Sequence, residues 1–331
     1  MTTIAAVDIG IARVKVLVGH TNRWGTKIES WRCIDYIHPA RQASAFDPDG
    51  ADHYRQGHDA LVDVLCDLRS ELPSRVQWRI GFSSLYARLY PMRLHAAKCK
   101  RLRIAAQIYR DKLSVEQWDA DYRILSYDRR MGEGEVLLWA WRQKPLNDLL
   151  DILEDAAIAP SVVEFDALCL AGALECLDST EPLRLLIDLG FSKTLLLLMR
   201  GDTLLQCRVV PRGVASVCER LGQRLNLPLC EVETRLAEPS NEWSAWTELT
   251  VQELFEPFLL QLHREIEFTC DGQEPGEIYV CGGLSGHAGF FSLLQDGLSP
   301  RLSLFNPLPA DESVPAELHS AFCTAYGLLT R

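Results

Sequence analysis

The same strand–turn–strand unit occurs twice in this chain, and that duplication narrows its possible folds more than any other feature. Near the N-terminus, the apolar run Ile4–Asp8 passes through a short glycine turn, Ile9–Arg13, into the β-branched run Val14–His20. A loosely alternating run, Lys27–Ile37, follows. The second half repeats this order: Leu185–Asp188, a glycine turn, Thr194–Met199, a turn at Arg200–Asp202, and Leu204–Pro211. Each unit closes its first strand with Asp, one residue and Gly: Asp8-Ile9-Gly10 and Asp188-Leu189-Gly190. Turns this short require antiparallel pairing. A duplicated hairpin in 331 residues predicts two related α/β halves, each with its own core.

Between the repeats, a polar loop (Pro39–Gly50) precedes a helix expected from about Asp52 to Leu72, with Leu61, Val62, Leu65 and Leu68 at helical spacing. Pro73 ends it, and Val76–Phe82 reads as a strand. From Ser84 to Leu153 the character changes. A basic amphipathic stretch (Lys98–Arg110) leads to strands at Tyr122–Tyr127 and Val136–Trp141 around a glycine turn, and Pro145 opens a helix to Ala157. This predicts a small α+β insert of two strands and two helices. Late in the chain, Ile278–Gly286 runs from an apolar strand through Gly282 and Gly283 toward a helix at Phe290–Leu298.

Glycine turns let backbone N–H groups approach a phosphate chain, and an Asp at the strand end can hold magnesium through its waters. One Asp-x-Gly is usually a plain turn. Two facing hairpins with a strand–Gly-Gly–helix element can clamp a nucleotide, the glycines and helix N-terminus favouring its purine side and its negative charge.

Composition removes several alternatives. Hydrophobic residues make up 47% and charged residues 24%, a globular balance. The net charge of −11 argues against general nucleic-acid binding. The longest apolar run, Leu183–Met199, is broken by Arg184, Asp188, Ser192 and Lys193, so no membrane span is expected, and the N-terminus does not read as a signal peptide. The 11 cysteines form no CxxC pair and suit a reducing cytoplasm, and no HxH or HxxxH pair suggests a histidine metal site. No Gly-x-Ser-x-Gly supports a serine hydrolase. Lys98, Lys100, Arg101 and Arg103 form one basic run, which reads first as a solvated helix face and second as a surface for anionic lipid.

The ordered set of hairpin, helix-bearing stretch, second hairpin and strand–Gly-Gly–helix resembles the actin-like ATPase superfamily over nearly the whole chain. Within it the chain is similar to PilM, the actin-like protein of type IV pilus and competence machinery, in the FtsA/PilM branch. The segments that carry this are Leu153–Leu174, Asp111–Leu125, Leu262–Phe268, Leu304–Ala310 and Ala321–Arg331. The resemblance implies a first half over 1–180 interrupted by an insert at 84–153, and a second half over 181–331. The last helix, about Leu318–Thr330, is expected to return to the first half.

It also implies ATP or ADP with Mg2+ as ligand. Asp8, Gly10, Arg13 and Lys15 fall on the first phosphate hairpin, Asp188, Gly190 and Thr194 on the second, and Gly282 and Gly283 on the adenosine motif. Asp8 and Asp188 are the implied magnesium holders, Glu164 the implied water-orienting group, and Glu233 the ribose-side residue. Ile11 and Phe191 depart from the small or hydroxyl residues usual beside the glycines, and Leu236 from the usual ribose-side lysine, so turnover is expected to be slow or absent. The implied function is a cytoplasmic scaffold of the pilus inner-membrane platform, recruited by the tail of a PilN-like protein among other platform components. That tail is expected in a groove built by Trp118, Tyr122, Trp139 and Trp141. The alternatives are a nucleotide-free interaction protein like the cytoplasmic part of GspL, and a small-molecule kinase or ATPase. Self-association is left open. A kinase should show a substrate-facing catalytic Asp between the hairpins, and none stands out.

Overall fold

The computed structural model describes residues 2–11, 13–22, 25–36, 57–115, 117–177, 181–228, 231–232, 248–286, 288–309 and 314–331. The loop expected at Pro39–Gly50, the start of the helix at Asp52, Glu233 and Leu236 lie outside the described residues.

The duplication expected from sequence is present in the topology. In the first half, β1 (Ile4–Ile9), β2 (Arg13–Asn22) and β3 (Gly25–Asp35) form an antiparallel meander. Strands β4 (Gln77–Phe82) and β8 (Pro160–Phe165) then add in parallel, giving the order β3-β2-β1-β4-β8. In the second half, β9 (Leu183–Leu189), β10 (Thr194–Arg200), β11 (Thr203–Val210), β12 (Glu277–Cys281) and β13 (Leu302–Leu304) give β11-β10-β9-β12-β13 with the same senses. Central strands are apolar throughout because both faces are covered: Leu185, Leu186 and Ile187 are all fully buried. Helix α1 (His58–Glu71) covers the first sheet with Leu61, Leu65 and Leu68, at the spacing that marked it.

The insert differs from the expectation in two ways. It has three strands, in the order β5-β7-β6: β5 (Ala87–His95), β6 (Trp118–Asp128) and β7 (Glu133–Arg142). Strand β5 contains Pro91, which an edge strand tolerates because one side of its backbone needs no partner in the ladder. One helix, α2 (Cys99–Leu113), packs Leu102 and Ala106 on this sheet. The following helix, α3 (Gln143–Asp155), belongs instead to the first half, where Leu149, Ile152 and Leu153 join the main core. The insert therefore closes at Arg142, not at Leu153.

Helix α4 (Asp166–Glu175) follows β8 and is buried along its length. The chain ends in α8 (Cys323–Thr330), and α5 (Ala215–Leu225), α6 (Glu248–Cys270) and α7 (Ala288–Gly297) complete the second half. Helix α8 lies against α4, β1, β2 and β4, so the C-terminus packs on the first half. Its last carbonyls find donors: the Arg79 guanidinium donates to Leu328 O and Arg331 O at 2.9 and 2.7 Å, and the Thr21 hydroxyl donates to Leu329 O at 2.8 Å. Gly327 brings α8 so close to α4 that an added Cβ would stand 1.9 Å from Cys169 O. Gly327→Ala should therefore cost about 3 kcal/mol in chemical denaturation, as overpacking against rigid backbone does. Gly283→Ala, which meets nothing within 4 Å, should cost under about 0.5 kcal/mol. Equal losses would contradict this packing.

Candidate functional site

The two Asp-x-Gly turns face each other across a cleft whose lining includes Asp8, Gly10, Lys15, Asp188, Gly190 and Lys193. Gly282 and Gly283 close one side and Arg13 lies at the rim of the first hairpin. The turns are built by backbone: Gly10 N–H donates to Arg13 O at 3.0 Å, and an added Cβ on Gly190 would stand 2.9 Å from Lys193 O. Gly282, at φ +113°, packs on the Leu189 backbone, where a Cβ would stand 2.2 Å from Leu189 O. Tyr36 pins the first turn, its hydroxyl donating to Gly10 O at 2.6 Å.

The side chains in the cleft are committed to one another. Asp8 and Lys15 are cross-strand partners on β1 and β2, and Lys15 Nζ donates to Asp8 Oδ2 at 2.7 Å. Burial works against the Lys15 ammonium, but Asp8 and Asp188 more than offset it and raise its pKa above the usual lysine value. On the second hairpin the residue opposite Asp188 is Leu195, so Asp188 has no lysine across its own strand pair. Burial pushes the Asp188 carboxyl up to about 6, with Lys15 holding it down and Asp166 adding to the rise.

Lys193 occupies the place in the second repeat that Arg13 holds in the first. Arg13 turns outward, its Nε donating to Asp35 Oδ1 at 2.6 Å. Lys193 turns inward and crosses to the first half, where its ammonium donates to Asp166 Oδ2 and, at 2.6 Å, to Ser83 Oγ. Asp166 sits at the start of α4, where its other oxygen accepts from the backbone N–H groups of Ser84 and Ala167 at 3.0 and 2.7 Å and from the Ser84 hydroxyl. Lys193, Asp166 and Ser83 were not singled out from sequence; the position of Lys193 in the repeat, matching Arg13, was the available signal.

Other expected residues lie elsewhere. Thr194 turns into the second-half core and donates to Arg212 O at 2.9 Å, away from the cleft. Glu164 is not part of the cleft lining. Its Oε2 pairs with Arg331, the residue after the C-terminal helix, at 3.1 Å and its Oε1 accepts from Phe165 N at 3.0 Å. The four aromatics do not build one groove. Register places Trp118 and Tyr122 on the α2 side of the insert sheet, opposite Arg142 and Leu138. Trp139 and Trp141 are on the other side, packed on the first-half core with Trp141 6.4 Å from the Phe165 ring. The Trp118 ring is flanked by the guanidinium groups of Arg88 and Arg142 at 4.9 and 5.6 Å.

The backbone of the cleft has the form of a phosphate clamp, but its side chains do not fit a magnesium nucleotide as they stand. The cavity measures about 140 Å3, below the roughly 300–1,000 Å3 of small-molecule sites. Both hairpin lysines are engaged by carboxylates, and Ile11 offers no hydroxyl.

Two halves of identical strand order, joined at a cleft between paired Asp-x-Gly hairpins, define the actin-like ATPase fold, and this chain has it. No protein-family model matches the sequence, and no curated protein matches it either. Among solved structures, the chain superimposes on a chain of the PilM–PilN type IV pilus biogenesis complex with TM-score 0.76 at 21% identity, covering 98% of this chain and 97% of that one. It is also similar to the ethanolamine utilization protein EutJ from Carboxydothermus hydrogenoformans, with TM-score 0.55, 12% identity, and coverage of 100% and 90%. The likeness to the pilus-complex chain takes in the insert as well as both halves.

The raised Asp188 pKa gives a signed test. A carboxyl raised in the folded state from 3.8 to about 6 adds stability below the lower value and loses it as pH rises through the upper one. Asp188→Asn should therefore be more stable than the unaltered protein at pH 7–8, by on the order of 2 kcal/mol. In thermal melts that advantage should shrink between pH 6 and 4 and vanish below it. A gain that does not change with pH would contradict the assignment.

Proposed function

We propose that the chain is a scaffold of a type IV pilus or related competence platform that holds the cytoplasmic tail of a PilN-like membrane protein. The observation that carries this reading is the full-length likeness, insert included, to a chain of the PilM–PilN complex. No described helix is long and apolar enough to cross a membrane, so a tail would be its link to one. The insert supplies a fitting dock. Strand β5 faces β11 of the second half, while β6 is the outer strand on the other side of its sheet. A free strand edge accepts an extended peptide through backbone hydrogen bonds, with side-chain pockets beside it.

Nucleotide is secondary in this reading. ATP or ADP with magnesium stays outside it, because Lys15 and Lys193 are engaged by Asp8 and Asp166. Turnover is slow or absent, because Glu164 is held by Arg331 outside the cleft lining.

Hydrogen exchange of the full chain, with and without a synthetic peptide of the neighbouring membrane protein's tail, tests the dock. Amides of Trp118–Asp128 should gain protection when the peptide binds. Binding that leaves them unprotected would move the dock elsewhere, and absence of binding would overturn the partner reading.

A further inference from the structure

The insert carries a charge of opposite sign to the rest of the protein. Between Arg88 and Arg142 there are twelve Lys and Arg against seven Asp and Glu, in a chain with 34 against 45 overall. The excess is concentrated at one end. Lys98, Lys100, Arg101 and Arg103 lie at the start of α2. The turn between β6 and β7, with Arg129 and Arg130, sits against it: Ala96 N–H donates to Gly132 O at 2.7 Å, and Gly132 stands against the Ala96–Ala97 backbone. Among the described residues no ion pair or hydrogen bond engages the charged group of any of these six cations, although the Arg130 backbone N–H donates to Asp128 Oδ1 at 2.7 Å.

Apolar side chains project from the same surface. Ile104 and Ile108 are 53% and 51% exposed on the outer face of α2, one turn apart, and Met131 at the turn is 67% exposed. On the helix, Arg101 and Lys112 flank that isoleucine ridge on one side and Lys100 with Gln107 on the other, Asp111 beside the ridge is paired with Arg110 at 2.9 Å, and Leu102 and Ala106 point inward to the insert core. Exposed apolar groups beside a cluster of cations match an anionic bilayer surface, where the isoleucines and methionine enter the headgroup layer and the basic side chains reach lipid phosphates. A nucleic-acid backbone would use the cations and leave the apolar ridge unsatisfied.

We infer that this end of the insert docks on an anionic lipid surface, with Lys98, Lys100, Arg101, Arg103, Arg129 and Arg130 meeting the headgroups and Ile104, Ile108 and Met131 entering the interface. The acidic remainder of the chain is repelled by the same surface, so contact would also orient the molecule. This inference needs no partner chain and stands apart from the tail-binding reading.

The test is co-sedimentation of the full chain, without any peptide, with phosphatidylglycerol–phosphatidylethanolamine vesicles and with phosphatidylcholine vesicles. Binding should be confined to the anionic vesicles and weaken with added salt. The combined change Lys100→Glu, Arg101→Glu and Arg129→Glu should reduce it at least about tenfold. Ile104→Ser with Met131→Ser should also reduce it while keeping the salt dependence, with circular dichroism confirming that both variants fold. Absence of binding, equal binding to both vesicle types, or binding indifferent to the apolar changes would overturn the inference. So would a DNA duplex that competes fully and is itself bound unchanged by the Ile104→Ser, Met131→Ser variant.

Discussion

The contact between Lys193 and Asp166 sets the geometry of the cleft. It joins the second hairpin to the first half within the cleft lined by both Asp-x-Gly turns. Both partners are buried and additionally hydrogen-bonded, Lys193 to Ser83 and Asp166 to the Ser84 and Ala167 amides, which is the condition under which a buried ion pair offsets its loss of hydration. Removing one partner of such a pair characteristically costs about 3–5 kcal/mol, because the other charge is left buried alone. The Asp188 carboxyl, raised mainly by burial with Asp166 adding to the rise, lines the same small cavity.

The two repeats therefore share a backbone and differ in what their cations do. Arg13 satisfies Asp35 on its own sheet, whereas Lys193 reaches the other half. The two surfaces argued above, an outer sheet edge and a basic end with exposed apolar groups, both lie on the insert. The insert is also where the charge changes sign.

The duplication was legible in the sequence because each hairpin is local: strand, glycine turn and strand lie within about twenty residues, and both repeats print the same Asp-x-Gly. Helix α1 was legible from its leucine spacing. Strand β5 was not, since Pro91, Arg88 and Arg93 mask the alternation that a central strand would show. The side chains of the site were half legible. Asp8, Lys15 and Asp188 are fixed by register within their hairpins, but Asp166 comes from a helix 27 residues before Lys193 and meets it only through the tertiary fold. Glu164 and Asp166, two residues apart, could not be told apart by sequence, because the C-terminal helix that claims Glu164 through Arg331 is the last element of the chain. The shared face of Trp139 and Trp141 follows from strand parity, whereas the opposite placement of Trp118 and Tyr122 needs the β6–β7 register.

The central claim is that Lys193 and Asp166 hold the clamp shut against nucleotide, and calorimetric titration of Mg-ATP into the full chain and into Asp166→Asn tests it most directly. The asparagine keeps an oxygen for the Ser84 and Ala167 amides while releasing the Lys193 ammonium toward phosphate. The account predicts weak or undetectable binding by the unaltered chain and an affinity at least about tenfold higher in Asp166→Asn, a gain of ~1.4 kcal/mol. Tight binding by the unaltered chain, with no gain or a loss in Asp166→Asn, would contradict it.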